Sequence, residues 1–332
     1  AASLEASSVG FSSVGSSSAG FNETTTTQNA LDVGYQKAKK EMENNKLKQA
    51  NKRVLKLLKS YPQSAKLHYL SALINGSLAQ QASIFSAGSY AKKSKNAFKK
   101  SIEVDRNFSQ GYQGLIQFYL RAPAIAGGSN KKAKETANKL IEINPLQGLL
   151  SLILIAQDED DDALEAQLMA RLNKDFQSSP TALFVYGFYQ QRLENFAQAY
   201  DAFKAATELT FDQPIKVQET AAQATTPGTK KTVIMETEEE WRNSQLSALY
   251  QLGRNAVFSN THVEEGIMAL EKYIDKKIPQ GMPSKDWARY RLSVLHIASN
   301  QPSQAKPILT ALKSGDISDD LRELVKKELK KL

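Results

Sequence analysis

The residues that could do chemistry are few and scattered. The 332-residue chain has three histidines, His68, His262 and His296, and no cysteine. Without cysteine there are no disulfides, thiolate metal sites or cysteine nucleophiles. The histidines lie too far apart in sequence for a metal-binding spacing, so each reads as a structural or surface residue. Asp158 to Asp162 spell DEDDD, but a calcium loop needs spaced ligands, a glycine and a distal Glu. The run reads instead as a solvated loop whose charge favours the N-terminus of the next helix. Gly127-Gly128 lacks the Lys-Ser/Thr of a phosphate loop and follows no strand, and Ser129 is better placed as a helix N-cap. There are no paired carboxylates at a plausible site and no nucleophile–His arrangement. The sequence therefore points to a protein that is not an enzyme and has no cofactor or metal.

Composition narrows the class. Hydrophobic residues make up 41% of the chain, enough for a packed core. No apolar run approaches the ~20 residues of a membrane span. The longest, Leu149 to Ala156, reads as a buried helix. The net charge of +8 is uneven: Leu31 to Pro145 hold 21 Lys/Arg against 7 Asp/Glu. Such a basic half can steer an acidic partner or an anionic polymer. Lys outnumbers Arg there, which argues against specific phosphate or base recognition. The plainer reading is a soluble, Lys-rich helix surface.

The elements that must position any site are amphipathic helix pairs. The stretch Thr181 to Leu209, TALFVYGFYQQRLENFAQAYDAFKAATEL, carries Leu183, Tyr186 and Gly187 at helical spacing. Ala199, Tyr200, Phe203 and Ala206 mark one face of a second helix, and Glu194-Asn195 supplies the break. Gly187 and Ala199, 12 residues apart, let two antiparallel backbones approach, with Phe203 filling the space below. Neither helix can bury its stripe alone, so copies must stack.

This pattern resembles the tetratricopeptide repeat, a helix–turn–helix of about 34 residues. With Pro180 as position 1, Leu183, Tyr186, Gly187, Ala199, Phe203 and Ala206 fall at the family's positions 4, 7, 8, 20, 24 and 27. The resemblance covers roughly residues 31–316. It implies an all-α solenoid, a right-handed superhelix of about seven helix pairs. FYLRAPAIAGG, YQLGRNAVFSN and WARYRLSVLH are also similar to exported bacterial proteins of this type with no defined activity.

Along the chain, residues 1–29 read as a flexible Ser/Gly/Thr-rich leader. Residues 30–210 read as repeats one to five, with about ten extra residues around Gln80–Ser89 in repeat two. Residues 211–240 lose the helical period, and Ile215, Val217 and Thr232 to Ile234 predict an inserted β-hairpin or arm. Residues 241–332 read as repeats six and seven and a capping helix. Pro307 is expected in the first turn of its helix, and Ser318 as the cap of the last one. The Ala1-Ala2 start reads as what a signal peptidase leaves behind. That predicts a periplasmic or secreted bacterial protein, the alternative being cytoplasmic.

What the resemblance implies for function is a scaffold that holds a protein or peptide in a groove lined by the first helix of each pair. In that family, positions 2, 5, 9 and 12 face the groove. Position 5 is Tyr35, Tyr69, Gly111, Phe184, Tyr250 and Tyr290 in the repeats where it can be assigned. Phe188, Arg254 and Val294 follow at position 9. The expected groove residues are thus Tyr35, Tyr69, Phe184, Phe188, Tyr250, Arg254, Tyr290 and Val294. The competing expectation for each ring is packing on neighbouring helices. An alternative function is a structural subunit of an envelope or extracellular assembly, joined through the leader and the arm. A second copy of the chain is then a candidate partner.

Overall fold

The computed structural model describes residues 24–211 and 236–332. Among the described residues there are fifteen α-helices, one short 3-10 turn at Ala124–Ala126 and no strand. The first eight helices are α1 (Thr24–Glu43), α2 (Leu47–Ser60), α3 (Ala65–Gln81), α4 (Ile84–Val104), α5 (Ser109–Arg121), α6 (Asn130–Ile143), α7 (Pro145–Asp158) and α8 (Asp162–Asp175). They are followed by α9 (Pro180–Arg192), α10 (Phe196–Glu208), α11 (Glu238–Ser259), α12 (Val263–Asp275), α13 (Lys285–Ala298), α14 (Pro302–Ser314) and α15 (Asp319–Leu329). They form seven consecutive pairs and one final helix, which is the organisation of a tetratricopeptide-like solenoid. The chain divides within α8 into two compact units, whose described residues are 24–168 and 169–211 with 236–332.

Local chemistry sets the helix ends. Ser64, Ser129, Asn144 and Ser179 each accept a hydrogen bond from a backbone N–H of the following first turn, satisfying a donor that the helix leaves free. Thr237 and Glu240 form a reciprocal capping box at the start of α11. Asp161 of the acidic run accepts from Leu164 N at 3.0 Å, so that run caps α8. Five of the tight turns between paired helices hold a left-handed residue: Asn45, Asp160, Glu194, Asn260 and Asn300. Asn and Asp tolerate this conformation best among residues with a Cβ.

Packing depends on small residues where paired helices cross. A Cβ on Gly187 would stand 2.7 Å from the Phe203 ring, and one on Gly253 would overlap the Leu270 side chain. Repeat three differs, because there Gly114 makes room for Phe98 of the preceding pair. Ser94 replaces the small partner in repeat two and donates to Ala72 O at 2.8 Å. The 22-residue separation of these two residues is explained by length: the extra residues extend α3 and α4 themselves. In the first unit the core runs through Leu70, Ile74, Ile116 and Leu140. In the second it runs through Phe203, Leu252, Leu270, Leu295 and Leu309.

Several expectations need correction. The leader does not extend to residue 29, because α1 begins at Thr24; residues 1–23 lie outside the described residues. The expected hairpin falls mostly on 212–235, also outside them, and Glu238 to Glu240 are already the first turn of α11. Pro307 is inside α14, not in its first turn, because the helix starts five residues earlier at Pro302. The Pro307 ring removes one helical N–H from the interior. Ser318 occupies the N-cap position of α15 but makes no side-chain cap bond. The guanidinium of Arg322 ties down that corner instead, donating to the carbonyls of Lys313, Gly315 and Ile317.

Glu236 is the most deeply buried acid among the described residues, 1% exposed. Its carboxylate accepts from Thr181 N at 3.3 Å, in the first turn of α9. Burial nevertheless raises its pKa, outweighing the hydrogen bonds from Ser179 and Thr181. The folded state therefore holds a proton more tightly than the unfolded chain does, and stability falls as pH rises through the ordinary carboxyl range towards the raised value. Glu236→Gln should raise the thermal midpoint at neutral pH and match the parent at pH values below that range. Calorimetry at both pH values checks this. Gly253→Ala should cost about 1–3 kcal/mol through overpacking against Leu270 and lower the midpoint by several degrees. Gly88→Ala, at a helical position with nothing within 4 Å, should stabilise by up to about 1 kcal/mol.

Candidate functional site

In the second unit the first helices α9, α11 and α13 lie side by side, with α10, α12 and α14 packed behind them. The faces of α9, α11 and α13 away from those second helices carry an array of arginine and aromatic side chains. Arg254 and Phe258 are one turn apart on α11, and the Arg254 Cζ sits 4.7 Å from the Phe258 ring centroid. The same guanidinium is 6.0 Å from the Phe188 ring on α9. Its Nη1 donates to Gln191 Oε1 on α9 at 2.5 Å and to Gln251 Oε1 at 3.4 Å. Gln191 is held in turn by donating to Asn255 Oδ1 at 3.2 Å, and Asn255 donates to Phe196 O at 2.9 Å.

Arg291 on α13 continues the array. Its Cζ lies 5.5 Å from the Trp287 ring, 5.5 Å from Tyr250 and 5.8 Å from Phe258. Its Nε donates to the Tyr250 hydroxyl at 2.8 Å. Arg254 and Arg291 thus bracket one ring, Phe258, which is 46% exposed although large and apolar. Each guanidinium–ring contact contributes about 0.5–2 kcal/mol, more as water is excluded. The contacts also hold long side chains in fixed directions, which lowers the entropy cost of using them.

The expected groove residues divide. Phe184 and Phe188 are half-buried and lie 6.4 Å apart, and Phe184 also packs 6.3 Å from Phe203. Phe188 and Arg254 belong to the array. Tyr250 and Tyr290 are buried, 3% and 8% exposed. Tyr250 packs beside Tyr273, with centroids 5.3 Å apart, and under Arg291. Tyr290 sits among Leu309, Leu321 and Val325, because α15 covers it. Val294 is half-buried against that same cluster. Tyr35 and Tyr69 belong to the first unit. Tyr69 packs against Phe98 and Phe108 at 5.8 and 5.7 Å, and burial pushes its phenol up to about 12. Tyr35 lines a small recess with Asp32, Ser64 and Lys66, and burial raises its pKa too, with Glu43 adding to it.

Sequence reasoning missed Gln191, Phe258, Trp287 and Arg291. A signal was available: Arg254 with Phe258, and Trp287 with Arg291, are both i, i+4 pairs of a cation and a ring, which share a helix face.

The histidines each have a separate structural contact. His68 Nε2 meets Pro62 O at 2.8 Å, His262 stacks on Tyr200 with centroids 3.6 Å apart, and His296 Nδ1 meets Gln301 Oε1 at 3.0 Å. Among the described residues no group of three His, Asp or Glu is placed to hold a metal ion, and no helix is long and apolar enough to cross a membrane.

No protein-family model matches the chain, and no curated protein matches its sequence. Solved structures do. A chain of the APC/C hetero-tetramer Cut9–Hcn1 superposes with a TM-score of 0.51 at 14% identity, over 90% of this chain and 48% of that one. This chain therefore spans about half the length of that relative. PilF of Pseudomonas aeruginosa gives a TM-score of 0.44 at 13% identity, over 91% and 98% of the two chains. A tetratricopeptide repeat protein from Parabacteroides merdae gives 0.41 at 10%, over 90% and 98%. At these identities the likeness is one of fold, and the fold is that of the tetratricopeptide repeat.

Burial separates core rings from array rings by their cost on removal. Tyr250→Ala should destabilise the second unit by about 3 kcal/mol or more, as for a fully packed aromatic. Phe258→Ala should cost under about 1 kcal/mol, as at an exposed position. Urea unfolding followed by circular dichroism distinguishes the two.

Proposed function

We propose that this chain is a non-enzymatic scaffold that binds a peptide or an extended segment of a partner protein along the first helices of its second unit. The observation that supports this most is the array itself. Phe188, Arg254, Phe258 and Arg291 come from three successive first helices and meet through ring and guanidinium contacts. A solenoid offers extended surfaces of this kind. Large rings and planar cations give recognition surfaces contact area at small entropic cost. The tetratricopeptide fold fits the reading, and the scattered histidines give no competing catalytic arrangement.

Screening a displayed random-peptide library against the intact chain tests the proposal. Peptides should be recovered, and an Arg254→Ala/Phe258→Ala double variant with an unchanged melting curve should lose most of that binding, by about tenfold or more, as for central interface residues. Recovery of the same peptides with equal affinity by the double variant would move the site elsewhere. Recovery of none by either protein would remove the scaffold reading.

A further inference from the structure

The array also has a sign. Past their first turns, α9, α11 and α13 carry five arginines, one histidine and no aspartate or glutamate. The arginines are Arg192, Arg242, Arg254, Arg289 and Arg291, and no lysine stands among them. Further acids lie on the paired second helices, Asp201 and Glu208 on α10 and Glu264, Glu265, Glu271 and Asp275 on α12, and Glu238 to Glu240 form the first turn of α11, where Glu238 pairs with Arg242. Asp286, in the first turn of α13, is already taken by Arg289 at 2.9 Å.

Arg291 carries the strongest indication. The residue is 8% exposed, yet among the described residues its only hydrogen bond goes from Nε to the Tyr250 hydroxyl. Among the described residues no carboxylate lies within ion-pair distance of it, and no acceptor meets its Nη groups. Those groups are not among the buried polar atoms wholly sealed from water, and the guanidinium carbon lies 5.8 Å from the half-exposed Phe258 ring. A cation that is mostly desolvated and lacks a counter-charge is held at a cost, which an arriving anion would offset. Arginine is the residue whose planar fork meets a carboxylate with two parallel hydrogen bonds while its face stays stacked on a ring.

We infer that the surface around Phe258 binds an acidic protein segment, in which two carboxylates meet Arg254 and Arg291 and an apolar side chain between them rests on the Phe258 ring. The inference rests on the peptide-scaffold reading and specifies the chemistry of the peptide. The carboxylate source is Asp or Glu side chains. A phosphate-bearing ligand is a competing outcome of the test.

Fluorescence anisotropy of the full chain with three labelled peptides decides it: one built of Glu and Leu, its Gln/Leu analogue and its Lys/Leu analogue. The Glu/Leu peptide should bind, with affinity falling as salt is added, and the Gln/Leu peptide should bind about tenfold more weakly or worse, as expected when a charge-assisted pair is lost. Binding should also shift tryptophan emission, because Trp287 lies 5.5 Å from the Arg291 guanidinium, and Trp287→Phe should remove that shift. Arg254→Gln should weaken the Glu/Leu peptide about tenfold, with Arg254→Lys between it and the parent, since lysine keeps the charge but loses the fork. Equal binding of the Gln/Leu peptide, sensitive to Phe258→Ala, would overturn the acidic preference while leaving the peptide groove in place. Displacement of the Glu/Leu peptide by inorganic tripolyphosphate at far lower concentration than by free Glu/Leu peptide would overturn the carboxylate assignment. Absence of binding by all three peptides would overturn the inference, and the library screen reports separately on the scaffold.

Discussion

In three of the helix pairs a glycine on the first helix lets a large side chain of the second pack directly against its backbone, and the rest of the structure depends on that contact. Gly187 beside Phe203, Gly253 beside Leu270 and Gly34 beside Leu57 are versions of the same arrangement. Large side chains from the second helix fill the volume that the missing Cβ leaves, so each pair is locked in both distance and rotation. Rotation is what matters for the site. Arg254 directly follows Gly253, about 100° further round the helix, so the contact that buries Gly253 also fixes the direction in which Arg254 leaves, towards Gln191 of α9. Core packing and the direction of a surface cation are thus one constraint. Protein interiors are close-packed and do not deform continuously, which makes that direction a fixed property of the fold.

The array shows how ring faces and amide oxygens fix the direction of a guanidinium. Surface ion pairs in the chain are mostly local, as with Lys100–Glu103 and Lys326–Glu323, and pairs of that type contribute little. Arg254 and Arg291 are held differently, by ring faces and by neutral oxygens of Gln191, Gln251 and Tyr250. A neutral partner fixes the position of a guanidinium without cancelling its charge. The side chain is already ordered before any ligand arrives. Preorganisation of this sort reduces what association has to spend on ordering.

The helix pairs were legible from the sequence because they are set by local rules. Pro180, Gly187, Ala199 and Phe203 each report a backbone or packing requirement within one repeat, and α9 and α10 follow from them. Pro307 was misplaced because a proline at Pro302 starts α14 equally well, and helix-start signals do not say which of two prolines a helix uses. The leader was drawn too long because Thr24 to Gln28 have poor helix propensity, yet they continue α1. The site was harder. Position within a repeat says which way a side chain leaves its own helix, but not what a neighbouring repeat lays over it. Tyr290 leaves α13 towards the surface position of its repeat and is then covered by Leu321 and Val325 of α15, which no pattern inside repeat seven encodes.

Tyr250 makes the same point with a consequence for the chemistry. By its repeat position it should present its ring to a partner. Instead the ring lies under Arg291, which arrives from the next first helix and takes the phenol oxygen as its hydrogen-bond acceptor. A buried hydroxyl needs a partner, and a buried guanidinium needs something to hold it in place, so each settles the other. The tyrosine becomes the floor of the site, and the arginine, fixed by it at Nε, keeps its Nη groups for the open side. What looked like a column of aromatic contacts is thus partly converted into a charged one. The change comes from a single residue at position 6 of the following repeat, where helical repeats can vary side chains without disturbing the small-residue contact that sets their spacing. The binding proposed for this unit accordingly depends on what Arg291 covers as much as on what Arg254 and Phe258 expose.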